Sequence, residues 1–505
     1  MKKITFSTII FLVPAIAAIV PYSTSLEVKR QIGDFNQTFY QTTDLKMLDS
    51  TYQRGWFHSV AQSHFEGKDQ ATDKSTRFVL LHDIDHTFVP IQPTRVNTRI
   101  YPASMNDEGA EMHDKVALLE VHTTVQTNGD SLSKVKASPL KDSDENFKNL
   151  VWLLWKKFYP FLPGYFPSEI PAPQVKDDKP HLQWQGLQGN VAVKQNAGTF
   201  QAFITSPKIQ LDTDQGQIVI QGITFNADMQ LVNSEVMKAR VNIAEIQLTD
   251  KQVPPVKSVI QDITFNADMQ SDRTKTMQGD LNIAAVQLTG GKQVRAVKLE
   301  GIKLVGHNNM VSEYLTVAMK TSLQKIQVGA DHYGPGYGDF EIRHWHLPTL
   351  AEIPLQDLAQ VQQVNAPKFK LMSLGLAFLN KSPEFALTRL NIHTPNGELR
   401  GKLQVKMEPF EGGIFAFFIN PFLFFNALNA QLEAHIPQPL LDSFIQNNEV
   451  DNTIRQRLKT WRKQGILIPA DDQPGYYHSQ MQLSGGILQV NGQQLPLATI
   501  WNESL

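Results

Sequence analysis

Val219-Ile-Gln-Gly-Ile-Thr-Phe-Asn-Ala-Asp-Met-Gln230 returns 40 residues later as Val259-Ile-Gln-Asp-Ile-Thr-Phe-Asn-Ala-Asp-Met-Gln270, with eleven of the twelve positions identical. The same offset carries residues 241–249 onto 281–289, with six of nine identical. Self-similarity at a fixed period is typical of a repeat architecture. No catalytic signature of comparable strength occurs in the chain, so its strongest signal concerns how the protein is built.

Both copies alternate apolar and polar side chains with a period of two. This period indicates β-strands with one apolar and one polar face. The residues of the apolar parity are the candidate ligand-facing positions: Ile223, Phe225, Met229, Ile263, Phe265 and Met269. A sheet with such a face must cover it, either with another layer of protein or with a bound apolar ligand.

Weaker copies flank the strong pair, so that four units begin near residues 185, 221, 261 and 300. Each unit resembles two antiparallel strands, which predicts a meander of about eight strands. In the second strand of each strong copy the apolar parity switches, at Ile243–Ala244 and at Ile283–Ala284. A switch by one residue inside a strand predicts a β-bulge.

Composition limits the class of protein. The 505 residues suffice for two to four domains. The formal net charge of −2 and the pI near 6.7 lack the basic footprint of nucleic-acid binding. The absence of cysteine excludes disulfides, thiolate metal sites and a cysteine nucleophile.

The N-terminus carries an export pattern, because Lys2 and Lys3 precede a charge-free run from Ile4 to Leu26. The apolar part, residues 4–20, is near the lower length limit for a membrane-spanning helix. Ala15-Ile16-Ala17 offers a small-residue cleavage site. An uncleaved signal anchor and a cleaved signal peptide are both compatible with this segment.

Beyond this segment we predict an α+β protein that is mainly antiparallel β, with helices covering the sheet toward the C-terminus. The predicted divisions are residues 1–25 as signal anchor or signal peptide, 26–175 as a β-rich domain, 176–345 as the four-unit repeat and 346–505 as an α+β segment. Asn128-Gly129 and Pro395-Asn396-Gly397 predict hairpin turns. The glycine-rich residues 333–338 suggest a flexible joint. Residues 147–166 and 412–430 are aromatic-rich and indicate covering helices, with membrane-surface contact as the lesser alternative.

Chemistry-bearing clusters are few. His82, Asp83, Asp85 and His86 form the densest group of ligand types. On a strand the two histidines stand roughly 13 Å apart, too far for one zinc ion, so a polar strand end is favoured over a metal site. His344-Trp345-His346 places two histidines on one strand face, and we expect no acidic partner close to them. We therefore predict no catalytic residue, no metal and no cofactor.

Short motifs stand out at both ends of the chain. They are Tyr52-x-Arg54-Gly55-x-Phe57-x-Ser59, the following His86 and Pro90, and residues 486–496 near the C-terminus. Together they resemble the YdgA-like family of bacterial envelope proteins. The family has His-Gly-Pro where this chain has His86-Thr87-Phe88, with Pro90 two residues late. The resemblance implies an N-terminal membrane anchor and a periplasmic body, and it implies no catalytic residues.

These observations favour a non-enzymatic protein of the inner membrane, with a single N-terminal segment and a β-rich periplasmic body that binds a lipid or an envelope protein. A soluble periplasmic form after signal cleavage is the alternative location. The repeat also loosely resembles the elongated lipid-handling β-proteins of the AsmA kind. A purely structural or interaction protein is the second hypothesis, and a hydrolase is the third.

Overall fold

A computed structural model of the chain describes residues 46–55, 57–68, 75–86, 93–103, 117–126, 128–139, 181–194, 197–212, 216–230, 235–251, 254–271, 276–290, 296–351, 376–409, 422–446 and 452–495. These residues divide into two compact units, residues 1–255 and 256–505. Each unit is described by itself below.

The first unit is an antiparallel sheet. Its strands are β1 (Lys46–Gln53), β2 (His58–Lys68), β3 (Ser75–Asp85), β4 (Thr94–Ala103), β5 (Leu119–Val125), β6 (Ser131–Ala137), β7 (His181–Trp184), β8 (Leu187–Lys194), β9 (Thr199–Asp212), β10 (Gly216–Gln230) and β11 (Glu235–Asp250). Neighbours pair in the order β1-β2-β3-β4-β5-β6-β8-β9-β10-β11. Strand β7 pairs with the end of β9 that β8 leaves free.

The second unit contains the remaining strands and the described helices. The strands are β12 (Val256–Ser271), β13 (Thr276–Gly290), β14 (Val297–Val311), β15 (Tyr314–Leu323), β16 (Lys325–Val328), β17 (Asp331–Tyr333), β18 (Gly336–His346), β19 (Glu384–Thr394), β20 (Gly397–Met407), β21 (Leu428–Pro437), β22 (Ile468–Pro469), β23 (Tyr476–Ser484), β24 (Ile487–Val490) and β25 (Gln493–Leu495). The helices are α1 (Leu347–Ala351), α2 (Phe422–Ala427), α3 (Gln438–Gln446) and α4 (Asn452–Lys463).

The second unit is also an antiparallel meander. Strands pair in the order β12-β13-β14-β15-β18-β19-β20-β21-β23-β24-β25. Strand β16 continues β15 along β14 and pairs with β17, and β22 pairs with β23. Long antiparallel strands joined by short turns are the arrangement that the period-two pattern predicts.

Each unit has a small apolar core at one end of its sheet. In the first, Phe65, Phe78, Leu80 and Leu118 are buried together, and Ile209, Leu211 and Trp184 pack against them. In the second, one cluster buries Ile466, Leu483, Leu488 and Val490, and another buries Leu441, Leu467 and Tyr477. Of the repeat strands, β7 and β9 contribute Trp184, Ile209 and Leu211 to the first cluster, and the others contribute no residue to these three clusters.

The structure confirms a mainly antiparallel β-protein with a long meander and few helices. The hairpin turns are confirmed at Asn128-Gly129, where β5 meets β6, and at residues 395–397, where β19 meets β20. Among the described residues no helix is long and apolar enough to span a bilayer. The predicted membrane segment, residues 1–25, lies outside the described residues, as do residues 147–166. The four predicted domain divisions stay predictions.

Two local predictions are wrong. Residues 333–338 are not a joint, because the Gly334 amide donates to the His393 carbonyl and the His393 amide to the Pro335 carbonyl, at 2.7 and 3.0 Å. Of the predicted helix over 412–430, residues 422–427 are helical and 428–430 begin β21, because the strand pairs there with β20 and β23.

Candidate functional site

The candidate apolar residues of the first unit lie in rows that cross three strands. Phe225 on β10 is flanked by Ile204 on β9 and Val241 on β11. Residues directly opposite one another in an antiparallel pair point to the same face, so each row is one apolar patch. Further rows on this face are Phe200–Met229–Met237 and Ala202–Ala227–Ala239, and Ile223 lies opposite Ser206.

The second unit repeats the arrangement on β12, β13 and β14. Ile263 lies opposite Ile283, which lies opposite Ile302. The next rows are Phe265–Leu281–Leu304 and Met269–Met277–Asn308. The six candidate residues therefore fall into two groups of three, one group in each unit.

The described elements cover this face only in part. Ala202 and Ser206 on it are buried, whereas none of the six candidate residues is, and the side chains of Phe265 and Met277 are 43% and 47% exposed. Large apolar side chains usually lie inside proteins, and contiguous exposed apolar patches mark binding surfaces. The face therefore has the surface chemistry of a site for an apolar ligand.

The opposite face of the same strands is a hydrogen-bonded polar surface. The Asn242 amide donates to the Thr224 hydroxyl at 3.0 Å. In the second unit Asn266 and Asn282 both donate to one carboxylate oxygen of Asp280, at 2.9 and 2.7 Å. The polar residues of the repeat satisfy one another across strands, which is the ordinary state of a solvated sheet face.

Each of the four sequence repeats has a backbone kink at the cross-strand position where the apolar parity switches, and we call this position the kink rung. The residues at this position all have positive φ, between 50° and 86°; they are Gly186, Gly222, Asp262 and Gly301. The register of β10 with β11 and of β12 with β13 is the same on both sides of this rung. The predicted β-bulge is therefore wrong, because no extra residue is inserted.

Both strands of each hairpin change parity at this rung instead. On β10 the apolar residues are Ile218 and Ile220 before Gly222, and Ile223 and Phe225 after it. The opposing residue is Ala244, and a Cβ built on Gly222 would lie 2.7 Å from the Ala244 Cβ. Glycine tolerates both the positive φ and the close approach, which explains the small residues at this rung.

The cluster of His82, Asp83, Asp85 and His86 does not converge on one point. His82 Nδ1 lies 2.8 Å from the Thr98 hydroxyl, Asp83 faces Arg99 at 3.4 Å, and Asp85 faces His58 at 3.0 Å. Burial lowers the pKa of His82 to about 4, so this imidazole is neutral near pH 7. Within the described residues no three metal-ligand side chains come together.

The fourth member of that cluster, His86, completes a buried polar node made of family-motif residues. Its Nε2 lies 2.8 Å from the Ser59 hydroxyl, which accepts the Gly55 amide at 3.2 Å. The His86 amide donates to the Phe57 carbonyl at 2.7 Å. Ser59 is 1% exposed, so the pair holds the β2 and β3 ends together and offers no open nucleophile.

Sequence reasoning missed this node because Ser59 and His86 are separated by 27 residues. Both are among the residues that carry the family resemblance, which was the available signal. Burial lowers the pKa of His86, and electrostatic interactions with His58 and Arg54 lower it further. His86 Nδ1 is buried and has no hydrogen-bond partner among the described residues.

His344 and His346 are also separated by the local backbone. His344 has a φ of 57° and lies where the register of β15 and β18 shifts, so it interrupts the alternation between the two histidines. His346 Nε2 lies 2.9 Å from Glu313, and its Nδ1 lies 2.7 Å from the Thr349 hydroxyl. The expectation that no acidic group is near is wrong, because the turn between β14 and β15 brings Glu313 alongside His346.

The fold and surface together define a class: an antiparallel β-protein built from repeated hairpins, with an apolar face that the described elements cover only in part. The chain belongs to the family described as "Bacterial protein of unknown function (DUF945)", which it matches over residues 1–158, 166–251 and 198–498. The last two matched segments overlap within the repeat. No curated protein and no solved structure matches the chain.

Proposed function

We propose that this protein is a YdgA-like envelope protein that holds an apolar ligand, a lipid acyl chain, on the repeat face and catalyses no reaction. The observation that carries the proposal is the pair of three-strand apolar rows that contain Phe225 and Phe265, neither of which is buried. Three strands span about 10–15 Å and fifteen residues about 50 Å, which is a long, narrow surface suited to extended hydrocarbon chains.

The proposal includes a location at the inner membrane. A surface that binds hydrocarbon is useful next to a bilayer, and the sequence of residues 1–25 has the pattern of an inner-membrane anchor with the body outside the cytoplasm. A C-terminal fusion to an enzyme that is active only in the periplasm tests the topology. Activity of that fusion supports the proposal, and activity restricted to a cytoplasm-only reporter contradicts it.

The ligand test uses charge placed on one face or the other of the same strand. Purified full-length protein is extracted and its lipids are measured by mass spectrometry, for the wild type and for Phe225→Asp and Phe265→Asp. An aspartate on the apolar face makes the binding of a hydrocarbon chain less favourable by several kcal/mol, because its charge would be buried against that chain. We expect the two variants to keep their circular dichroism and to lose bound lipid.

The matched control is Asn226→Asp, one residue away from Phe225 on the polar face. It is expected to retain lipid at the wild-type level. Wild-type protein without lipid, or equal loss in both sets, would contradict the proposal. Stoichiometric copurification of a protein in place of lipid would favour the structural or interaction alternative.

A further inference from the structure

Five glutamines form a single row across five consecutive strands of the second unit. Gln404 on β20 lies opposite Gln431 on β21, which lies opposite Gln482 on β23. The row continues to Gln489 on β24 and Gln494 on β25. All five side chains are exposed and point to the face away from the core that contains Leu483 and Leu488.

Four of these amides make no hydrogen bond within the described part of the chain. The fifth, Gln404, donates to Glu384 at 3.1 Å. Each primary amide offers two donors and an acceptor. The row therefore presents uncharged hydrogen-bonding groups at one per strand.

The first half of the row forms the floor of a groove of about 600 Å³. The floor continues to Ala386, which lies opposite Gln404 on β19 and whose short side chain does not fill the groove. Ion pairs flank it on both sides: Arg343 with the buried Glu384 at 2.8 Å, and Lys402 with Glu433 at 3.9 Å. Because the charges are paired with one another, the groove carries little net charge and favours an uncharged ligand.

The spacing of the amides discriminates between linear ligands. A ligand that lies along the row crosses the strands and meets one amide every 4.7–4.9 Å. An extended peptide advances by only about 3.3–3.4 Å per residue and falls out of step within a few residues. The rings of an extended β-1,4-linked hexose chain repeat at nearly the strand spacing. Successive rings are turned over, so the amides meet alternate edges of the chain, and the hydroxyl and acetamido groups on these edges both donate and accept hydrogen bonds.

We propose that the glutamine row is a docking surface for an extended, uncharged glycan with β-linked hexose or N-acetylhexosamine rings. Each ring occupies one strand, and its polar groups exchange hydrogen bonds with one glutamine. This site is separate from the apolar repeat face and does not depend on lipid binding. An envelope protein with both surfaces would contact a lipid and a polysaccharide.

The test titrates β-1,4-linked N-acetylglucosamine oligomers of two to six rings into the full-length protein by calorimetry. Affinity is expected to rise with length up to five rings, because five amides lie in register. Gln431→Ala combined with Gln482→Ala is expected to weaken hexamer binding about tenfold, since each hydrogen bond lost contributes about two- to tenfold.

Gln278→Ala serves as the control, because Gln278 is an exposed strand glutamine outside the row. It is expected to bind like the wild type, and thermal melts confirm that all variants are folded. The proposal is overturned by absence of binding, by length-independent affinity, by equal binding of the row variant and the wild type, or by preference for an extended peptide over the oligosaccharide.

Discussion

Replacing Gly222 with alanine tests whether the kink rung requires glycine. A non-glycine residue held at positive φ costs about 1–2 kcal/mol, and Gly222 has a φ of 65°. The new methyl would lie 2.7 Å from the Ala244 Cβ, and overpacking of this kind costs about 1–3 kcal/mol. The lower conformational entropy of the unfolded alanine chain offsets about 0.4–1 kcal/mol. We expect a net loss of about 2–3 kcal/mol.

The assay is hydrogen exchange followed by mass spectrometry on peptides from β9, β10 and β11, because local opening free energies report on one part of a large chain. A double-mutant cycle separates the two causes. Ala244→Gly removes the steric contact but leaves the backbone strain. The double variant is expected to recover about 1–2 kcal/mol relative to the sum of the single changes.

Gly306→Ala is the control, because Gly306 lies in strand β14 with ordinary φ and its nearest neighbour to a built Cβ is 3.9 Å away. We expect it to be neutral or slightly stabilising, since glycine inside a strand is unfavourable by about 0.5–1 kcal/mol. If Gly222→Ala is as mild as Gly306→Ala, or if Ala244→Gly rescues nothing, the account of the kink is wrong.

Three further outcomes follow from the described contacts. Asp262→Gly should stabilise β12 and β13 by up to about 1 kcal/mol, measured by hydrogen exchange. Asp262 has a positive φ at the position where the other three sequence repeats have glycine, which adopts that conformation more easily. Ser59→Ala should destabilise β2 and β3 by about 1–3 kcal/mol in hydrogen exchange, because buried His86 loses the partner of its Nε2. The pKa of His82 is about 4 in the folded protein and 6.5 in the unfolded chain, so the unfolded chain binds a proton first as the pH drops. The free energy of unfolding should therefore fall by up to about 3 kcal/mol between pH 6.5 and pH 4. Urea titrations measure this pH dependence, and the same dependence in His82→Gln would contradict the prediction.

The strands of the repeat were predictable because their signal is local. The alternation around Phe225 and Phe265 needs no knowledge of neighbours, and Asn128-Gly129 specifies its hairpin through the φ angles of two residues. The parity switch is also visible in the sequence, but on a single strand it looks like a β-bulge. The register of β10 with β11 shows that both strands switch parity at the same position, so the strands kink there without an inserted residue.

What sequence reasoning missed depends on residues that are distant along the chain. Ser59 and His86 meet because β2 pairs with β3, and neither residue is unusual on its own. The glutamine row is spread over 91 positions, from Gln404 to Gln494, at irregular intervals. Its members align only after the turns and the helices between β20 and β25 have set the register. Residues 333–338 were misread because glycine and proline also occur in tightly hydrogen-bonded connections.

The near identity of β10 and β12 raises a question of folding order. Strand β9 pairs with β10, yet β12 carries almost the same residues 40 positions later and would satisfy most of the same contacts. During synthesis the ribosome needs about 2–8 s to add 40 residues, whereas a hairpin closes in about 1–10 μs. Strand β10 is therefore docked before its near-duplicate exists. Directional synthesis from the N-terminus resolves a competition between strands that a chain refolding from denaturant meets with all its copies present at once.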